Sequence, residues 1–175
     1  MKKQILLVSL IFFTVNIVAQ NSPFQNLEFL LGNWQGTGSG FGNSQSKITT
    51  SFQSVMNEQF IEVINDSKFE PTASKPEGEH HIDRGMISFD KARNLIVFRQ
   101  FHIEGFINQY VLIDSLSTDN FLVFQTEHIE NFVPGGSAKW TIEKTGDHEI
   151  ETKFYLAFPG QDAACYGTNK LTRNE

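Results

Sequence analysis

Chemistry in this 175-residue chain would have to come from five histidines, one cysteine and twenty carboxylates. His80 and His81 are adjacent, so on a strand they point to opposite faces and cannot reach one ion from the same side. His102 and His128 have no Cys, Asp or Glu at ligand spacing on their own strand face, so no metal site is expected. Cys165 has no partner for an internal disulfide and no base beside it, and it reads as a small core residue rather than a nucleophile. Glu127, Glu130 and Glu143 read as surface charges. There is no Gly-x-Ser-x-Gly elbow, no His-Glu-x-x-His and no phosphate loop. Gly36, Gly38 and Gly40 lack the strand-turn-helix context that such a loop needs. No catalytic residue is assigned, and a binding protein is expected in preference to an enzyme.

Two further groups could touch a ligand. If Glu104-Gly105 is a two-residue turn, Ile103 pairs with Phe106, Phe101 with Asn108, Arg99 with Tyr110 and Val97 with Leu112. An inward Arg99 beside the Tyr110 phenol would need an anion, which a ligand carboxylate or an internal acid could supply. Both faces of this hairpin mix apolar and polar groups, so alternation leaves open which one faces inward. Trp34, in the stretch LEFLLGNWQGTGSG from Leu27 to Gly40, is the second group. It would either touch ligand or close the foot of the first strand as a plug, with Lys170 or Arg173 stacked on its ring.

The elements that must position these groups are strands. Phe24 to Leu31 has a helical spacing too short for an independent helix and reads as a plug or a single turn. From Trp34 onward, short half-alternating runs rich in Phe, Ile, Val, Thr and Tyr are punctuated by Gly, Asn, Asp, Ser and Pro. Ten runs are expected: Trp34 to Gly40, Gln45 to Val55, Glu58 to Ser67, His80 to Asp90, Asn94 to Ile103, Phe106 to Asp114, Asn120 to Ile129, Ser137 to Thr145, Glu149 to Phe158 and Cys165 to Thr172. Most connectors are hairpin-length, which imposes antiparallel neighbours. The exception, Lys68 to Glu79, carries two prolines and reads as a loop over a barrel mouth or a lid.

Ten up-and-down strands hide their edges best by closing on themselves, so the expected fold is an all-β, calycin- or lipocalin-like closed barrel. A tube wider than ~8 strands exceeds what its own side chains fill, and an unfilled interior implies a guest. Any strand edge left exposed would allow a dimer.

Met1-Lys2-Lys3, the apolar stretch to Val18 and Ala19 make a signal peptide over residues 1–19, followed by a single domain over 20–175. The chain is therefore expected to be exported, periplasmic or secreted. Taking Lys2 and Lys3 from the 14 basic residues leaves 12 against 20 acids, a net charge of −8. Nucleic acid and anionic membrane, which need a basic surface, are not expected as partners, and no later segment would insert in a bilayer.

The segment LEFLLGNWQGTGSG resembles the opening of the nitrobindin family and its relatives, the heme-binding β-barrels similar in shape to fatty-acid-binding proteins, and of related bacterial barrel families. His81-Ile82-Asp83-Arg84-Gly85 is similar to the His-x-Glu-x-Gly stretch that those barrels carry on a middle strand, with Asp83 in place of the glutamate. The resemblance implies a ferric heme held by an axial histidine on the last strand, binding nitric oxide or isomerising peroxynitrite. It also implies that His81 lies close to the guest. The last strand has no histidine, and Asn169 stands about where the ligand would be, an amide being a poor ligand for iron.

The expected function is an exported barrel holding a small apolar or amphipathic molecule such as a lipid, fatty acid or tetrapyrrole, with His81, Arg99, Tyr110, Asn169 and Trp34 as candidate ligand-binding residues. The alternatives are a nitrobindin-like heme protein and a filled barrel without a guest.

Overall fold

The computed structural model describes residues 22–40, 44–73 and 75–174. The expected signal peptide lies outside the described residues. The strands are β1 (Gly32–Ser39), β2 (Gln45–Val55), β3 (Phe60–Phe69), β4 (Glu79–Asp90), β5 (Leu95–His102), β6 (Ile107–Leu112), β7 (Phe121–Glu130), β8 (Ser137–Gly146), β9 (Glu149–Ala157) and β10 (Ala164–Arg173). No end differs from its expected position by more than two residues. Short 3-10 helices precede β1 (Gln25–Leu30) and follow β6 (Asp114–Leu116).

Each strand pairs antiparallel with its chain neighbour, and β1 pairs with β10 to close the barrel. No strand among the described ones lies at a sheet edge, though β8 pairs with β7 only over Phe121–Gln125. No helix among the described residues is long and apolar enough to cross a membrane.

The base of the tube is shut by the N-terminal 3-10 helix, whose Leu27 and Leu30 are buried, and by Trp34. The Trp34 indole N–H donates to the Leu30 carbonyl at 2.7 Å. Of the two cations the sequence offers for this ring, Arg173 is the one that covers it, at 4.2 Å from the ring centroid. The Arg173 guanidinium also donates to the Phe29 carbonyl at 2.5 Å and to that of Leu31. One side chain thus ties the last strand to the plug.

Above the plug the lower half of the lumen is filled by the chain's own rings. Phe52, Phe98, Tyr110, Phe124 and Trp140 are all buried. Phe98 stands 5.7 Å from Tyr110, 6.1 Å from Phe124 and 5.3 Å from Trp140, centroid to centroid. The inference from strand number to a hollow, apolar interior is corrected at this depth: rings that each bury about 150–250 Å² fill the greater width.

Replacing Arg173 by Ala is expected to lower stability by about 2–4 kcal/mol, because the cation–π contact and two charged hydrogen bonds to helix-end carbonyls go together. Urea denaturation checks this, and a loss within experimental error of zero would mean that the base is closed without it.

Candidate functional site

Register decides what lines the mouth, and the β5–β6 hairpin is where it differs from expectation. The His102 carbonyl accepts from the Gly105 N–H at 2.8 Å, and the His102 N–H donates to the Phe106 carbonyl at 3.1 Å. Ile103-Glu104-Gly105 is therefore a three-residue connection, with Gly105 at φ +92°. The extra loop residue, made possible by a left-handed glycine, shifts the pairing by one. Gln100 faces Asn108, Phe98 faces Tyr110, and Arg99 faces Gln109.

A one-residue shift moves a strand's partners to the other face. Tyr110 is therefore inside and fully buried, while Arg99 is outside and exposed. Arg99 donates to Gln109 Oε1 at 3.1 Å and to Ser88 Oγ at 3.3 Å. The expected Arg99–Tyr110 pair is corrected: the two never share a face.

The other candidate residues fall at different depths. Trp34 belongs to the closed base, as its plug reading has it. His81 stands half-exposed at the mouth, with Nδ1 against a Glu104 carboxylate oxygen and its ring edge-on to Phe69 at 5.5 Å. Asn169 lies on the lumen side of β10 and donates to Thr152 Oγ1 at 3.1 Å. Cys165, expected in the core, is exposed beside a register shift in β10.

His102, Asp83 and Asn108 complete a cluster that spacing along single strands does not reveal. Asp83 sits directly opposite His102 across β4 and β5. Its Oδ1 is 2.8 Å from His102 Nδ1, and His102 Nε2 is 3.0 Å from Asn108 Nδ2. Asn108 Nδ2 also donates to the Tyr110 hydroxyl at 2.7 Å. In a neutral ring the carboxylate fixes the proton on Nδ1, which leaves Nε2 to accept from the amide. Asn108 is 1% exposed, and its Oδ1 has no hydrogen-bond partner. Such an orphan acceptor costs about 1–3 kcal/mol.

The motif His81-x-Asp83-x-Gly85 now has a physical reading. Alternate residues of β4 face the lumen, and Gly85 must be bare: a Cβ there would lie 2.3 Å from the Arg99 carbonyl and 2.7 Å from the Phe98 ring. The neighbouring β6–β7 pair carries a bulge at Glu127 of β7, opposite Gln109 and Tyr110 and beside this relay of hydrogen bonds from Asp83 to Tyr110.

Rings cover the rim. Phe106 stacks on His102 at 4.2 Å, Phe132 lies 6.4 Å from Phe106, and Phe158 lies 5.5 Å from Phe132. These come from three successive mouth loops and form an apolar row above the polar cluster. The described residues of the β3–β4 loop, 70–73 and 75–78, stand at the same end. With Ser44 and Gln45 they wall a groove of about 320 Å³, lined also by Phe69, Pro71 and Lys75. Lys75 holds the Glu79 carboxyl below the usual carboxylate range through a direct hydrogen bond.

A heme held from the last strand does not fit these residues. The lumen side of β10 offers Gly167, Asn169 and Leu171 but no imidazole, and rings of the chain itself occupy the tube below.

No protein-family model and no curated protein matches the sequence. Among solved structures, Rv2717c from M. tuberculosis aligns with a TM-score of 0.67 and 18% identity, over 87% of this chain and 98% of that one. EF1p2_mFAP2b bound to DFHBI aligns at 0.47 and 13% identity, over 85% and 97%. The redesigned barrel mFAP1 bound to DFHBI aligns at 0.46 and 12%, over 88% and 100%. The likeness to Rv2717c shows a shared barrel fold.

Burial raises the Tyr110 phenol far above its ordinary value of about 10, outweighing the opposing hydrogen bond from Asn108. A phenol whose folded value is raised contributes full stability below the unfolded value and loses it as pH climbs above. Tyr110→Phe should therefore remove a slope of about 1.4 kcal/mol per pH unit from the stability curve above pH ~10. Equal alkaline slopes for the two proteins in urea melts would contradict this burial.

Proposed function

We propose that this chain is a small-molecule-binding barrel that takes an amphipathic guest at its open end. The carrying observation is the buried Asn108 Oδ1, an acceptor without a partner beneath the mouth. Natural interiors leave few such groups, and those that remain ask for an explanation such as a missing ligand. The guest would bring a hydrogen-bond donor to Asn108 and rest its apolar part on Phe106, Phe132 and Phe158. Filling of the lower lumen favours an amphipathic molecule over a wholly apolar one, since little apolar depth is left to receive it.

The reading keeps the nitrobindin-like resemblance at the level of barrel shape and of the His81-x-Asp83-x-Gly85 strand, and it departs from that family at Asn169. Export belongs to the same proposal: the chain would act in the periplasm or outside the cell, once the leader is cut near Ala19.

Small molecules released by denaturing protein purified from its own host, identified by mass spectrometry, test the binding. An amphipathic compound retained by the natural chain should fall roughly tenfold or more in Asn108→Leu, matching the loss of one buried hydrogen bond. Recovery of nothing, together with failure of laurate to bind the purified barrel, would contradict it. For export, the N-terminal peptide of protein from the host should begin near Gln20, and an intact Met1 terminus would contradict cleavage.

A further inference from the structure

The geometry points to a divalent transition-metal site of the zinc class, built by Asp83, His102 and Glu104 on the barrel rim. It goes beyond the binding of an organic guest and does not depend on one. Each of these side chains offers one ligand atom, and the three atoms lie within 4.8 Å of one another. One imidazole and two carboxylates are donors that zinc accepts, and three protein ligands leave a fourth position open to water or to another molecule. Ligand atoms around a tetrahedral zinc stand about 3.3 Å apart, given bonds of about 2.0–2.1 Å. Asp83 Oδ1 and His102 Nδ1 now share a direct hydrogen bond of 2.8 Å, which an ion would open by about half an ångström.

Two of the three ligands already have a group that would orient them. His81 Nδ1 touches the Glu104 carboxylate on the side of the rim. Asn108 meets His102 from below, at Nε2. Metal-bound histidines almost always donate their other ring N–H to a carboxylate, carbonyl or water.

Asn108 can meet that requirement by rotation of its amide. When a cation takes Nδ1 of the neutral ring, the ring's one proton moves to Nε2, where it needs an acceptor. Turning the Asn108 amide over places Oδ1 where Nδ2 now stands, so that Oδ1 accepts from His102 Nε2–H and from the Tyr110 hydroxyl. The amide nitrogen then takes the position that Oδ1 now holds. The site escapes a reading along single strands because its ligands come from β4, from β5 and from the turn that follows it.

Calorimetric titration of the mature chain with zinc ion alone tests the site. One ion should bind per chain, and Glu104→Gln, a change at an exposed turn, should weaken binding at least about tenfold. His102→Ala should do the same, while His148→Ala, at the opposite end of the barrel, should leave the affinity unchanged. Ring-nitrogen NMR of the zinc-loaded protein should show metal at His102 Nδ1 and the proton at Nε2. Absence of saturable binding, affinity unchanged in Glu104→Gln, or metal at Nε2 would overturn the proposal. Should His102→Ala fail to fold, the Glu104→Gln titration and the NMR assignment decide alone.

Discussion

Closure of the sheet is the constraint from which the other features follow. With β1 paired to β10, every strand has two hydrogen-bonded neighbours, so no strand can slide without breaking a ladder on each side. Side chains alternate between lumen and solvent with period two, and each hairpin therefore fixes the lining of the tube through the number of residues in its turn. The three-residue turn at Ile103-Glu104-Gly105 brings Asn108 and Tyr110 inside and leaves Arg99 in solvent. A two-residue turn at the same place would invert that assignment.

The lumen divides by depth. Below, large rings and the Trp34 plug make a packed core whose stability comes from burial and aromatic contact. Above, polar groups converge on one another under an apolar rim, and one of them lacks a partner. A core selected for stability alone would not keep an unpaired acceptor at that depth, because replacing it by an apolar group of the same shape is seldom costly. The lower half holds the fold, and the upper half is where the proposed guest would sit.

Much of this was legible in the sequence. Alternation, turn residues and hairpin-length connectors gave ten strands with ends within two residues, because strand signals are local. Trp34 and the Phe24 to Leu31 turn were readable as a plug for the same reason. The cross-strand cluster was not readable, since it depends on register. The Lys91-Ala92-Arg93 stretch reads as a three-residue hairpin, yet the structure closes it as Asp90 opposite Leu95, with Asn94 at φ 55°. That single residue is what sets His102 opposite Asp83. Cys165 was misplaced in the core because its strand bends at the register shift that follows it.

Cross-strand proton NOEs between β5 and β6 test the central claim most directly, because the identity of the mouth rests on their register. The account predicts contacts that place Gln100 opposite Asn108 and Arg99 opposite Gln109. Contacts placing Arg99 opposite Tyr110 would put the guanidinium in the lumen, dissolve the relay from Asp83 to Tyr110, and contradict the account.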